Sequence, residues 1–424
     1  MTPKVFIGLS EVAGYFSNLE AGLRELGVDA RFFNLSPHPL AYGGTGKGRL
    51  ARLMTFAGAP RSSVRGLVWR TLLRANRLVR RLRSAFLFPF ALARYDAFVL
   101  GGHETFLGGR EFALMRRFGK TVVIVFTGSD HRPPYLSGVG IRDDPSSAAL
   151  ADATARVRRR VDRAERHASA VVALPESAQL HARPFVHFLA VGFPFAAREA
   201  ATADPGGAND RAVRILHCPT DIAAKGTERV RAAVEACRAR GAPIEYREVS
   251  GRPHAEVLEA LEWTDFVVDQ VHGDTPMAAL ATEAAYFGKP SVVGSYAAGV
   301  RLEVPGTETP PSLYCHPDAL EDAVWTLVSD RAARHNLGRR AREFVRNEWA
   351  PASVAARMLR VIAGDVPDSW IARPEQLSYV LGYGISEPVL RARIRRLIAD
   401  QGVDALGVPS GSPLRDALVA LAGD

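Results

Sequence analysis

Residues 265–294 read DFVVDQVHGDTPMAALATEAAYFGKPSVVG. The stretch divides into strand, loop, helix, turn and strand. Phe266-Val267-Val268 is a short apolar run of the kind a buried strand needs. His272-Gly273-Asp274-Thr275 interrupts it with turn residues. Thr275-Pro276 predicts a helix start: threonine can accept from first-turn amides, and proline lacks an N–H that is not needed there. The helix is expected over residues 276–287. Gly288 would be its C-terminal cap, and Pro290 would block continuation. Ser291-Val292-Val293 resumes a strand.

The interior of this helix is almost wholly Ala, Met, Leu, Tyr and Phe, so it is expected to be buried. One carboxylate, Glu283, sits in it. A buried carboxylate is costly unless hydrogen-bonded. A ligand's hydroxyl pair, Thr282, a neighbouring amide or water could each serve.

Working outward, the chain has 424 residues, enough for two or three domains with separate cores. Its hydrophobic fraction of 47% is that of a globular protein. Cys218, Cys237 and Cys315 are scattered, with neither a disulfide framework nor a metal pattern, and read as buried thiols of a reducing cytosol. The start, MTPKVFIGLS, enters a strand directly. No run reaches the roughly 20 apolar residues needed to span a bilayer. A cytoplasmic protein is expected, with peripheral contact to the inner face of a membrane left open.

The net charge of +9 is unevenly placed. From Lys47 through Arg94 every charged residue is Lys or Arg, interleaved with Leu67, Leu72, Leu73, Leu78, Val79 and Leu82. Such a segment suits anionic lipid or an anionic acceptor; the alternative is a solvated face with Arg stems covering apolar surface. No nucleic-acid-binding signature is present.

In chain order, Val5–Leu9, a helix over 15–26 and a strand over 29–35 make a βαβ opening. The glycine-rich residues 43–48 lack P-loop spacing and read as a loop. A strand at 97–100 runs into Gly101-Gly102-His103-Glu104. TVVIVF (121–126) runs into Thr127-Gly-Ser-Asp-His-Arg-Pro-Pro134. Open α/β sheets bind ligands at the carboxyl ends of their strands, which makes His103, Asp130 and His131 candidates. Further elements are a charged helix over 146–167, a strand over 170–174, a helix opening at Pro175 and a strand over 186–191. Residues 196–210, small, polar and Gly-rich, read as an interdomain linker.

A second α/β series starts at 213–217. The loop Cys218-Pro-Thr-Asp-Ile-Ala-Ala-Lys-Gly-Thr227 leads into a helix over 228–240. Lys225 beside Gly226 at a helix start makes an anion site, because free amides, helix dipole and ammonium act together. After a last strand at 313–315, the remaining chain is helical.

RILHCPTDIAAKGT, WTDFVVDQ and ATEAAYFGKPSVVG together resemble the donor half of GT-B glycosyltransferases, in particular the family 4 type. RYDAFVLGGHETF and FGKTVVIVFTGSDHRPP look like acceptor-side strands and loops of bacterial polysaccharide members. The likeness spans roughly residues 1–350 and is more specific in the second half. It implies an α/β fold with GT-B architecture, two Rossmann-like domains facing a central cleft. The acceptor domain would be 1–195, the linker 196–210, the donor domain 211–350, and a helical tail 351–424 would cross back onto the N-terminal domain.

The resemblance also implies roles. Lys225 would bind the donor diphosphate and stabilise leaving-group charge. Glu283 would hold the ribose hydroxyls. Thr220, Gly226, Thr227, Gly273, Asp274 and Thr275 would line the donor site. His103, Asp130 and His131 would face the acceptor or the transferring sugar. Gly14, Tyr15, His103 and Glu104 would contact the acceptor. No metal and no resident cofactor are implied; the nucleotide sugar is a co-substrate. Two features depart from the family pattern. Position 275 is Thr where a Glu is usual, which shifts the sugar contact toward Asp274. No Arg stands between Arg214 and Lys225, and Arg252 is the candidate substitute.

The expected activity is hexosyl transfer (EC 2.4), with retention, from a nucleotide sugar to a polysaccharide or lipid-linked precursor or a natural product. The alternatives are a nucleotide-sugar 2-epimerase of the same fold and a catalytically silent nucleotide-sugar- or glycan-binding protein.

Overall fold

The computed structural model describes residues 2–36, 82–103, 105–138, 144–196, 212–296 and 309–423. The loop 43–48, residues 47–81 of the basic segment, Glu104 and residues 197–210 of the expected linker lie outside the described residues.

Two sheets organise the chain. The first has seven strands: β1 (Val5–Ser10), β2 (Ala30–Ser36), β3 (Ala97–Gly101), β4 (Thr121–Val125), β5 (Ala170–Ala173), β6 (Phe185–His187) and β12 (Ile371–Ala372). Their order is β12-β6-β5-β4-β3-β1-β2. All pairs are parallel except β12–β6. Side chains alternate strictly between two cores. Val5, Ile7, Val99, Val123, Val125 and Val172 point into one. Phe6, Phe98, Leu100, Val122, Ile124 and Val171 point into the other. A parallel sheet covered on both faces produces such unbroken apolar strands.

The second sheet runs β11-β10-β9-β7-β8, from β7 (Val213–His217), β8 (Ile244–Glu248), β9 (Phe266–Gln270), β10 (Ser291–Gly294) and β11 (Leu313–Cys315). All its pairs are parallel. In both sheets the chain turns to one side first and then returns to the other. The strand order therefore reverses between β1 and β3 in the first sheet and between β7 and β9 in the second. Crevices at such reversals are where open α/β sheets bind ligands.

The stretch 265–294 folds largely as read, with one correction. Its helix is Ala279–Tyr286, three residues later than expected, and Thr275-Pro276 does not start it. Met277 adopts a positive φ of 47°, an extra turn before the helix. The C-terminal end is a Schellman motif: Gly288 N–H donates to Ala285 O at 2.8 Å and Lys289 N–H to Ala284 O at 2.9 Å. Two other elements differ from expectation. The strand expected over 186–191 stops at His187, whose Nδ1 accepts from Leu189 N–H at 3.1 Å and begins the short helix Phe188–Val191. Pro175–Ser177 is a single 3-10 turn.

The tail lies on the first half. The helix Pro351–Ala363 packs on Tyr15–Glu25, so closely that a Cβ at Gly22 would run into the Pro351 carbonyl. β12 extends the first sheet. The helices Glu387–Gln401 and Pro413–Gly423 form a core with Tyr135, Leu136 and Leu150. The first core also takes in Met277, Ala281, Ala285 and Tyr286, which joins the two halves through apolar contact. No helix among the described residues is long and apolar enough to cross a membrane.

Candidate functional site

The loop after β7 meets the end of β9 at the reversal point. Asp221 closes the loop on itself: Oδ1 accepts from Ala224 N–H at 3.0 Å, and its carbonyl from Lys225 N–H at 2.9 Å. Val271 N–H then donates to Lys225 O at 3.2 Å and pins the loop to β9. Gly226 has φ +69° and lies against the Val271 side chain, where a Cβ would clash. Only glycine satisfies both conditions.

This frame aims Lys225 at the strand end. Nζ donates to Asp269 Oδ1 at 3.0 Å and to Gln270 Oε1 at 3.1 Å. Burial alone would push the ammonium down, but Asp269 and Tyr383 outweigh it and the net shift is upward. Lys225 thus stays a full positive charge beside a buried carboxylate.

The amides of the following helix, Thr227–Ala239, are less free than expected. Gly226 N–H is taken by Ala223 O, Thr227 N–H by Ile222 O and Arg229 N–H by Gly226 O. Thr227 is also turned inward. His217 Nδ1 sits 2.7 Å from Val268 O, so Nδ1 carries the hydrogen. Burial lowers the His217 pKa and keeps the ring neutral, so Nε2 accepts from Thr227 Oγ1 at 3.0 Å. The hydroxyl expected to bind a donor is thereby engaged inside the sheet. The positive field at this helix start is that of Lys225 and the helix dipole.

Glu283 is buried, and its Oε1 lies 2.7 Å from His254 Nε2. The carboxylate thus finds a partner on the neighbouring helix His254–Trp263. Arg252 stands exposed, 3.8 Å from Glu256. It lines a cleft of about 490 Å³ together with Arg247, Ser250 and Glu259. Thr220 lies at the surface of the same region; Ser250 Oγ ties the two loops by donating to Pro219 O at 2.8 Å.

Gly273, Asp274 and Thr275 frame Gln270. A Cβ at Gly273 would strike the Gln270 side chain. Gln270 Nε2 donates to Thr275 O at 3.4 Å. Asp274 Oδ1 accepts from Ser295 Oγ at 2.6 Å and is buried.

On the first half, the loops after β3 and β4 lie together, and a Cβ at Gly102 would collide with Phe126 and Asp130. The structure gathers His103, Asp130 and His131 but gives them different surroundings. Asp130 is fully buried and accepts from Thr127 N–H at 3.1 Å and Gly128 N–H at 2.9 Å, which fixes the turn. His131 is fully buried and stacked on Phe126. Its Nδ1 lies 3.0 Å from His181 Nε2, and His181 Nδ1 lies 3.0 Å from Glu165. Burial, then His181 and Arg132, push the His131 pKa well down. Of the three, His103 is the exposed one, 3.4 Å from Ser129 Oγ.

The acceptor set is corrected at Tyr15. Its ring is fully buried among Phe16, Phe188 and Phe193, as core and not as site. Gly14 starts the Tyr15–Glu25 helix with φ 85°.

Sequence reasoning missed three residues where the halves meet. Arg132 is buried, with Nη1 3.4 Å from Ser177 Oγ and Nη2 3.4 Å from Ser137 Oγ. Its guanidinium lies 4.3 Å from the ring centroid of Tyr383, which comes from the tail. Glu176, just past β5, is buried, and burial pushes its carboxyl up to about 8, with Asp274 of the other half adding to the rise. A carboxyl that holds a proton near neutral pH suits acid–base work. Its only sequence signal was its place after a strand end. Arg132 stood inside a quoted motif without a role, and Tyr383 carried no local signal.

The site can therefore do two things chemically. Lys225, Arg132 and the hydroxyl of Tyr383 offer cationic and hydrogen-bonding groups to an anion. Glu176 and His103 offer proton-transfer groups on the other side of the junction. Among the described residues, no group of three or more His, Cys, Asp and Glu could hold a metal ion.

No family model matches the chain, and no curated protein matches it in sequence. Solved structures do. Anabaena Alr3699/HepE in complex with UDP and glucose is 14% identical, with a TM-score of 0.51, covering 85% of this chain and 99% of the other. The same protein in complex with UDP-glucose is 13% identical, with a TM-score of 0.50 and the same coverage. The glycosyltransferase SnogD from Streptomyces nogalater is 16% identical over 84% of this chain and 99% of its own, with a TM-score of 0.38, too loose to bear on the reading. At these identities the likeness speaks for the fold alone. The fold is α/β with GT-B architecture.

Proposed function

We propose that the protein transfers a sugar from a nucleoside-diphosphate sugar to an acceptor held by the first half. The observation that carries this is Lys225, charged and set at the strand-order reversal of the second sheet between Asp269 and Gln270. A diphosphate placed there exchanges those partners for phosphate oxygens. In the transfer step the bond from the anomeric carbon to the diphosphate oxygen breaks, and a bond from that carbon to an acceptor oxygen forms. The leaving diphosphate takes up the bonding electrons, and Lys225 stabilises that charge, worth several kcal/mol in typical sites. The acceptor's proton passes to the departing diphosphate oxygen on the same face of the sugar, as direct transfer with retention requires.

His103 is the exposed candidate for contact with the acceptor, and Asp130 and His131 hold its neighbouring loop. Glu283, positioned by His254, takes the ribose hydroxyls. The cleft at Arg252 extends the donor side, with Thr220 at its rim. HepE, described in complex with UDP-glucose, supports a nucleotide-sugar donor by analogy of fold. We further assign the reaction to hexosyl transfer with retention, needing no metal and no resident cofactor.

A peripheral membrane role for the basic segment has one supporting feature. The helix over 82–94 buries Ser84, Leu87, Phe88 and Ala91 and exposes Leu82, Phe86 and Phe90. Arg83 lies in the same turn as Leu82. An apolar stripe next to arginines suits an anionic bilayer surface and a lipid-linked acceptor, at the cytoplasmic face.

The test is incubation with UDP-, GDP-, ADP- and TDP-sugars, with and without candidate glycan and lipid acceptors, read by chromatography of sugar and nucleotide products. Acceptor-dependent release of nucleoside diphosphate is the expected result. Conversion of the donor sugar without acceptor would establish the epimerase instead. Binding without any product would establish the silent protein.

A further inference from the structure

Residues 380–385 of the tail pass between the two halves. Tyr383 N–H donates to Leu136 O at 2.8 Å, and Gly138 N–H to Tyr383 O at 2.8 Å. Gly384 N–H donates to His272 O at 2.6 Å. Gly384 has φ +69°, and a Cβ there would sit 2.9 Å from the Ala224 side chain, so the tail touches the Lys225 loop directly. The first half thus holds the backbone of Tyr383 and the second half that of its neighbour Gly384, while Arg132 lies over the Tyr383 ring at 4.3 Å. These contacts set the placement of the side chain.

That placement sends the hydroxyl to Gln270 Oε1 at 3.1 Å. The same oxygen accepts from Lys225 Nζ at 3.1 Å. Two donors, a phenol and an ammonium, converge on one neutral amide oxygen. A phosphate oxygen is a better partner for both, because hydrogen bonds to a charged acceptor are about twice as strong.

We propose that Tyr383 is a further diphosphate-binding residue, supplied to the donor half by the tail: its hydroxyl and Lys225 leave Gln270 together for phosphate oxygens of the donor. The proposal rests on the nucleotide-sugar reading. It makes the donor site incomplete without the tail and links it to the first half through Arg132.

The test is Tyr383→Phe, which removes the hydroxyl and keeps the ring over Arg132. Binding of UDP, GDP, ADP and TDP and of the matching nucleosides is measured by calorimetry and ligand-observed NMR, with melting curves alongside. The expected result is diphosphate affinity lower on the order of tenfold, as for a lost hydrogen bond to a charged group. Nucleoside affinity and melting temperature stay at wild-type values. Unchanged diphosphate affinity would overturn the role of Tyr383 and leave the donor reading standing. Parallel loss of nucleoside and diphosphate binding with a lower melting temperature would show a structural role only and also overturn it. Failure of the wild type to bind any of the four diphosphates would overturn the donor reading and this inference with it.

Discussion

Glu283 Oε1 and His254 Nε2 lie 2.7 Å apart, and each comes from a different helix of the second half. The buried acid that the apolar helix Ala279–Tyr286 carries is thus held by an imidazole. Replacing His254 with Ala takes this partner from a buried carboxylate, and a cost of about 1–3 kcal/mol is expected. Glu283→Gln keeps the shape and is expected to cost less stability but to weaken nucleotide-sugar binding about tenfold or more, as for a hydrogen bond to a ligand hydroxyl pair. Melting curves and calorimetry on both variants check this. Equal nucleotide affinity in Glu283→Gln and wild type would remove Glu283 from the donor site.

Glu176 gives stability a pH dependence. Its carboxyl titrates near 8 in the fold, against an ordinary value of 4.5, chiefly through burial. Below pH 4.5 both folded and unfolded chains keep the proton and the group contributes nothing. Between 4.5 and about 8 the unfolded chain ionises while the fold retains its proton, so stability falls as pH rises. Glu176→Gln is expected to match wild type at pH 4 and to be the more stable at pH 8, by up to a few kcal/mol (about 1.4 per pKa unit). Melting curves across that range decide it; parallel curves would mean that Glu176 is not held protonated.

The tail helix is docked tightly enough to test with one methyl group. Gly22 faces the Pro351 carbonyl and has no room for a Cβ. Although Ala is the better helix former by about 1 kcal/mol, Gly22→Ala is expected to destabilise by about 1–3 kcal/mol through overpacking. A stabilised variant would show that the helix Pro351–Ala363 can move off Tyr15–Glu25 at little cost.

What the sequence revealed depended on how local the cause was. Phe266–Val268 and the cap at Gly288-Lys289-Pro290 are decided by neighbouring residues, and both were legible. Thr275-Pro276 misled because tertiary contacts won: Gln270 holds the Thr275 carbonyl, Ser295 holds Asp274, and the chain makes an extra turn at Met277. Tyr15 sat at a loop-to-helix junction that looks like a site, yet its ring completes an aromatic core with Phe188 and Phe193. The place of Lys225 beside Gly226 at a helix start was legible from its loop. Its partner Asp269 stood in a quoted motif without a role, since only the sheet brings it to the ammonium. Tyr383 reaches Gln270 across 113 residues of chain, and nothing in its own neighbourhood marks it.

The most direct test of the donor site is a thermal-shift series with UDP, GDP, ADP and TDP sugars on wild type and on Lys225→Ala. A ligand that binds only the folded state raises stability by about 2.7 kcal/mol at 100 times its dissociation constant. One nucleotide is expected to raise the melting temperature of the wild type and to leave Lys225→Ala unmoved. Equal shifts in the two proteins, or no shift in the wild type with any of the four, would contradict a diphosphate site at Lys225.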